Sequence, residues 1–175
     1  SALNLAMVAE PPTLDIQSTP ADLVCIIMQH VYEPLFTFDA KAALVPMLAE
    51  SMPKISADGK SYGITLRKGV KLHSGRDLNA DDVVASLKRW MEVSPRGKAV
   101  SAQVADIVAK GPLNVEISLK NAYAPLLSQL AMASGMAAIM AKETLAQPLR
   151  EFVGTGPYKF KERKPDQYVL LTRFD

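Results

Sequence analysis

The stretch from 69 to 92, GVKLHSGRDLNADDVVASLKRWME, constrains this chain more than any other. Asn79 is a strong helix N-cap, and Asp82, three residues on, resembles the second half of a capping box. Asp81 and Asp82 both fall in the first turn, where the helix dipole favours negative charge. Behind them, Val83, Leu87, Trp90 and Met91 recur at helical spacing and predict a buried stripe. Lys88 and Arg89 are then expected to point outward. The preceding VKLHSGRDL reads as an extended segment with a turn at Ser74-Gly75. Two adjacent aspartates invite a catalytic reading, but cap and dipole account for both.

Strands flank this helix. In SYGITLR, Tyr62, Ile64 and Leu66 face one way and Ser61, Thr65 and Arg67 the other, which predicts a half-buried strand. Asp58-Gly59 in SADGK is the turn of a hairpin leading into it. NVEISL alternates in the same manner, with Val115, Ile117 and Leu119 on one face. LNLAMV opens the chain as a short strand, followed by the proline-rich loop EPPTLDIQSTPAD. Asp22 can cap a helix through Val24, Ile27, Met28 and Val31, and Pro34 either stops it or lies in its last turn. LFTFD and ALVPMLAES follow, the second as a short extended piece, and SPRGKAV reads as a loop. PLLSQLAMASGMAAIMA reads as a helix whose Met132, Met136 and Met140 form a core stripe. Its polar interruptions leave it short of the roughly 18 to 20 apolar residues that a bilayer span needs. The pattern as a whole predicts a mixed α/β fold.

VGTGPYKF, residues 153 to 160, contains the Gly-X-Gly that opens many phosphate-binding loops. A dinucleotide fingerprint wants a third glycine at 159, where Lys159 stands, and a helix beginning there. Pro157 has no N–H to offer a phosphate. Tyr158 and Phe160 alternate with Lys159 and Lys161, so a strand follows instead. Glycines at 154 and 156 are therefore expected to permit a tight, left-handed turn before that strand. A turn at RKPDQ and a last strand, YVLLTRFD, complete the chain.

Composition narrows the chemistry. The chain has 20 basic and 18 acidic residues in 175, a net charge of +2, and only 6% aromatic residues. No basic run is interleaved with aromatics, so nucleic acid is not an expected partner. Cys25 is the lone cysteine and sits in an apolar run, LVCIIMQHV, as a buried and inert thiol would. His30 and His73 lack metal-ligand spacing, and no nucleophile stands beside a base. The chain is expected to be neither an enzyme nor a metal or cofactor binder.

The order of pieces resembles a known family. PPTLD, VYEPLFTFD, LVPMLAES, ADGKSYGITLRKGVKLHSGRDLNADDVVASLKRW, NVEISL and GTGPYKF occur in this order, at about this spacing, in ABC-transporter solute-binding proteins of the dipeptide- and oligopeptide-binding family. The resemblance runs the length of the chain. It implies part of a two-lobe periplasmic-binding-protein-like fold. Residues 1 to 32 and 138 to 175 would form an incomplete first-lobe core, and 33 to 137 an attached α+β subdomain. Family members are about three times longer, so the second lobe is expected to lie outside this chain, and the stretch given is expected to carry no leader and to end on an open strand. The segment Gly154 to Pro157 would be a turn into a first-lobe strand.

The resemblance implies capture of a peptide or similar small solute between two lobes and its delivery to ABC permease subunits in a membrane. The setting would be periplasmic, or, in a Gram-positive host, extracellular as a lipoprotein. Gln17, Ser18, Thr19 and Pro20 match the family's first-lobe cleft segment and are the expected ligand-binding residues. Ile16 stands where the family usually has proline. A piece of such a fold is also expected to expose an apolar surface at Val169, Leu170 and Leu171, and hence to self-associate or to be marginally stable. The alternative reading is an isolated structural or interaction module with no ligand of its own.

Overall fold

A computed structural model describes residues 2–175. In chain order it contains α1 (Asp22–Met28), β1 (Phe36–Phe38), β2 (Leu44–Pro46), β3 (Lys54–Ile55), β4 (Ser61–Thr65), α2 (Ala80–Val93), α3 (Pro95–Ser101), β5 (Val104–Gly111), β6 (Asn114–Leu119), α4 (Leu126–Ala131), a 3-10 turn at Lys142–Thr144, β7 (Tyr158–Lys164) and β8 (Tyr168–Arg173). The fold is mixed α/β, as the sequence predicts.

The central sheet has four antiparallel strands in the order β3-β4-β6-β5. Tyr62 lies opposite Ile117, and Ile64 opposite Val115, so the alternating apolar positions of β4 and β6 share one face. Ile107 joins them from β5. Helix α2 lays Val83, Leu87 and Trp90 on that face, all at most 1% exposed. The cap forms as expected. The Asn79 side chain accepts from the N–H groups of Asp81 and Asp82, and the Asp82 carboxylate accepts from the Asn79 N–H. Met91 is only partly buried beside this core.

Two buried clusters organise the chain. The first runs from Leu35 to Ala141 and holds the sheet and α2. The second is drawn from Leu14 to Tyr32 and from Met136 to Leu149, with Phe152, Phe160, Val169 and Leu171 packed against it. Contrary to expectation, Val169 and Leu171 therefore have partners within the chain, and of Val169, Leu170 and Leu171 only Leu170 is exposed. The segment between them explains why the methionine helix does not form. Helix α4 stops at Ala131, and Gly135 takes a positive φ of 54°. Beyond it, Ala137, Ile139 and Ala141 enter the first cluster, while Met136, Ala138 and Met140 enter the second. This is an extended strip buried on both sides, so its sequence shows no polar alternation. A spacing of four serves a period of two as well as one of 3.6. Met132 lies outside the strip and is 40% exposed.

Other elements also differ from expectation. Residues 2–7 form no strand, and Leu3 and Leu5 are exposed. Asp22 is the first residue of α1 rather than its cap, which is Ala21, and the helix ends before Val31. SPRGKAV is helical. The Ser94 hydroxyl accepts from the Gly97 N–H, and Pro95 takes the first helical position, where its missing N–H costs nothing. Strand β5 is an element that the sequence pattern did not single out.

Arg89 does not point outward; it is 7% exposed. Gly154 and Gly156 are absent from the positive-φ glycines. Their role is close approach instead. A Cβ on Gly154 would lie 2.3 Å from the Val31 carbonyl oxygen, and one on Gly156 would lie 2.5 Å from that of His30. The turn is pressed against the chain leaving α1, where Gly156 N–H donates to Val31 O at 2.9 Å and Tyr158 N–H to His30 O at 3.0 Å.

Candidate ligand-binding site

The loop from Thr13 to Pro20 is built by short-range polar contacts. Thr13 Oγ1 accepts from Asp15 N–H at 3.1 Å, and Asp15 Oδ1 from Gln17 N–H at 3.2 Å. The Ser18 hydroxyl donates to Asp15 O at 3.1 Å, and Thr19 Oγ1 accepts from Ala21 N–H at 3.1 Å. Side chains of this kind replace the backbone ladder in a loop.

Helix α2 holds this loop from behind. Arg89 donates to both oxygens of Asp15, to Gln17 Oε1 at 2.8 Å, and to Ala146 O at 3.1 Å. Gln17 Nε2 donates to Ser86 O at 3.0 Å and to Ala138 O at 2.9 Å. Gln17 is fully buried, so both of its amide protons are committed inside the protein.

Asp82, Ser86 and Arg89 lie four and three residues apart, on one face of α2. Together they satisfy backbone groups of the buried strip and of the segment that follows it. Asp82 accepts from Lys142 N–H at 3.0 Å. Ser86 donates to Met140 O at 3.0 Å and accepts from Met140 N–H at 2.8 Å. Asp82 is also gripped by Arg76, which reaches on to Glu143. Burial pushes the Asp82 carboxyl up, but Arg76 and the two N–H donors outweigh it, and its pKa ends below the ordinary aspartate value.

The outer part of the loop is more open. Ser18 and Thr19 are half-buried and Pro20 is exposed. Beside them lies the Ser134–Gly135 turn, where a Cβ on Gly135 would sit 3.8 Å from Thr19 O. That turn is fixed from within. Arg96 donates to Ser134 O at 2.7 Å and Gly135 O at 2.9 Å, and Trp90 Nε1 donates to Gly135 O at 2.9 Å. Cys25 is half-buried rather than buried as expected, and its thiol donates to Ala133 O at 3.3 Å. Burial raises its pKa, with Asp22 adding to the effect, so the thiol stays protonated.

The four sequence-predicted positions therefore divide. Gln17 anchors the loop, whereas Ser18, Thr19 and Pro20 form its outer edge, next to Ser134 and Gly135. Sequence reasoning missed Asp15, Ser86, Arg89 and Arg96. The signal for two of them was present, because Ser86 and Arg89 continue from Asp82 as a polar stripe beside the apolar one.

Residues 43–175 match the family described as bacterial extracellular solute-binding proteins, family 5 Middle. The chain is similar to the nickel-binding periplasmic protein of Escherichia coli, with 31% identity over 150 residues, covering 82% of this chain and 28% of that protein. It is 31% identical over 166 residues to the glutathione-binding protein GsiB of Escherichia coli, covering 93% of this chain and 32% of that protein. The chain thus spans about a third of the length of these curated relatives. A dipeptide-binding protein from a Pseudoalteromonas species, solved with Met-Leu, superposes with a TM-score of 0.84 at 29% identity, over 95% of this chain and 38% of that one. The oligopeptide-binding protein AppA of Bacillus subtilis, solved with a nonapeptide, gives 0.82 at 28% identity, over 97% and 35%. These relatives are named as solute-binding proteins. No helix among the described residues is long and apolar enough to cross a membrane.

Proposed function

The chain belongs to the bacterial extracellular solute-binding proteins of family 5, and from that premise we propose that it supplies one wall of a two-lobe site in an ABC importer. The solute is a peptide or a similar small amide-bearing molecule, handed on to a membrane permease. Ser18, Thr19 and Pro20 line the wall, and Gln17 fixes their position from inside. The observation that carries this reading is the likeness, at a TM-score of 0.84, to a dipeptide-binding protein solved with its ligand. The hydroxyls and backbone groups of the loop suit hydrogen bonds to a peptide backbone. Contact with both lobes would favour the closed state by population shift. The two buried clusters support a division into a first-lobe core, residues 1 to 32 and 138 to 175, and an attached subdomain, residues 33 to 137. The setting is periplasmic, or extracellular as a lipoprotein in a Gram-positive host.

The test is an amide NMR titration with two probes, the dipeptide Met-Leu and reduced glutathione. At least one of them is expected to move the Ser18 and Thr19 amides, together with that of Gly135, in a saturable way. Saturable binding that leaves residues 17 to 20 unmoved would overturn the site. No movement of these amides at about 10 mM of either probe, ten times a millimolar Kd, would overturn the function.

A further inference from the structure

His73 sits across the Gly154–Pro157 turn and uses both ring nitrogens there. Nε2 lies 2.8 Å from Gly156 O. Gly154 N–H donates to Nδ1 at 3.3 Å. A carbonyl oxygen can only accept, so Nε2 carries the proton. A backbone amide can only donate, so Nδ1 presents its lone pair. The two contacts together admit one form of the ring, the neutral Nε2–H tautomer. A proton added at Nδ1 would set one N–H against another.

The position of the ring gives this consequence. His73 belongs to a hairpin closed by the bridge between Lys71 and Asp77, and its neighbour Leu72 is in the first buried cluster. The turn it spans is bonded on its other side to Val31, in the second cluster. The backbone adds one more tie, His73 N–H to Gly154 O at 2.9 Å. His73 therefore joins the two cores at a point where the chain passes between them.

We propose that His73 is a proton-operated clasp between the 71–77 hairpin and the Gly154–Pro157 turn, closed while the ring is neutral and released when it is protonated.

The surroundings favour the neutral ring. Burial is the main cause that lowers the imidazole pKa, and the Lys159 ammonium on β7 adds to it, while the bond to Gly156 O opposes. The Phe174 ring closes over the imidazole edge-on, 4.8 Å between centroids. Beside Phe174, Arg173 and Asp175 pair with each other. On the hairpin, Lys71 pairs with Asp77, and Arg76 is engaged by Asp82 and Glu143. On the turn, Thr155 donates to Glu33 Oε1 at 2.8 Å, and burial pushes that carboxyl up. A depressed histidine binds its proton more weakly in the folded chain than in the unfolded one. The clasp is thus at full strength above about pH 6.5 and weakens as the pH falls below that value.

Two measurements on the intact chain test this. Ring ¹⁵N shifts at about pH 7.5 should show a protonated Nε2 and a bare Nδ1. Amide exchange, corrected for its intrinsic pH dependence, should show protection at Gly154 falling about fivefold between about pH 7.5 and about pH 5.5, with α2 unchanged. The same fall should persist in Glu33→Gln and in His30→Gln. In His73→Phe, Gly154 should sit at the low level at both pH values. The Nδ1–H tautomer, a flat Gly154 profile, or a step that disappears in Glu33→Gln or His30→Gln would each overturn the proposal. The ring shifts need no variant, so they decide the matter even if His73→Phe fails to fold.

Discussion

Arg89 grips Asp15 with both terminal nitrogens, Nη1 at 3.1 Å from Oδ1 and Nη2 at 2.6 Å from Oδ2, across 74 positions of sequence. Both residues are buried. Removing one partner strands the other charge, so Arg89→Met is expected to destabilise the chain by about 3–5 kcal/mol in a urea titration. Asp15→Leu combined with Arg89→Met should recover most of that loss, because a paired apolar replacement leaves no stranded charge. Additive losses in the double variant would show that the two residues act independently.

Gly154→Ala and Gly156→Ala are expected to cost more than about 1 kcal/mol each, because the new Cβ would meet backbone oxygens rather than movable side chains. Gly69→Ala provides the contrast, since nothing lies within 4 Å of its Cβ position and only its positive φ of 71° is strained. Its cost should be about 1 kcal/mol. Thermal unfolding of the three variants gives the order, and equal losses would contradict the close-approach reading.

Asp82 makes acid stability specific. Its folded pKa is depressed, so its contribution is complete above the ordinary aspartate value of about 3.9 and is lost as the pH falls through the lower folded value. Asp82→Asn should therefore be less stable than the parent at pH 7 and should lose less on acidification. An unchanged difference between the two proteins from about pH 6 to about pH 2.5 would refute this assignment.

Trp90 is the only tryptophan, 1% exposed, with its Nε1 bonded to Gly135 O and Arg96 5.6 Å above its ring. Its emission should be blue-shifted in the native state and should move red on unfolding. Trp90→Phe keeps an aromatic ring but removes the Nε1 bond, and because Arg96 still serves the Gly135 carbonyl the cost should be about 0.5–1.5 kcal/mol. A native emission already at the water-exposed position would contradict the burial.

The amphipathic elements were the legible ones. Helix α2, β4 and β6 each bury one face and wet the other, so their period is written in the residues. The strip 136–141 is buried on both sides and carries no such record. Arg89 was misplaced for another reason. Its partners Asp15 and Gln17 lie more than 70 positions away, and a local pattern sees only a charge beside Lys88. For α3, the Ser94 cap and Pro95 at the first helical position are helix signals, whereas Gly97 is a poor helix former. That glycine is there because a Cβ would lie 2.1 Å from Trp90 O. At the candidate site, resemblance located the loop, but only the fold separates buried Gln17 from the open edge at Ser18, Thr19 and Pro20.

The second buried cluster is assembled from two stretches more than a hundred positions apart. During synthesis, its early half leaves the ribosome with nothing to pack on. The first cluster spans the intervening chain and is nearly complete once Ala141 has emerged. Domains fold as units during synthesis as their parts emerge, and pairing over long separations is slow. We therefore expect an order of events in which the sheet and α2 close first, while the loop bearing Ser18 and Thr19 waits for the stretch from Met136 to Leu149. Limited proteolysis of ribosome-arrested chains should show the sheet protected well before residues 14 to 32. Simultaneous protection would mean that the two clusters form as one.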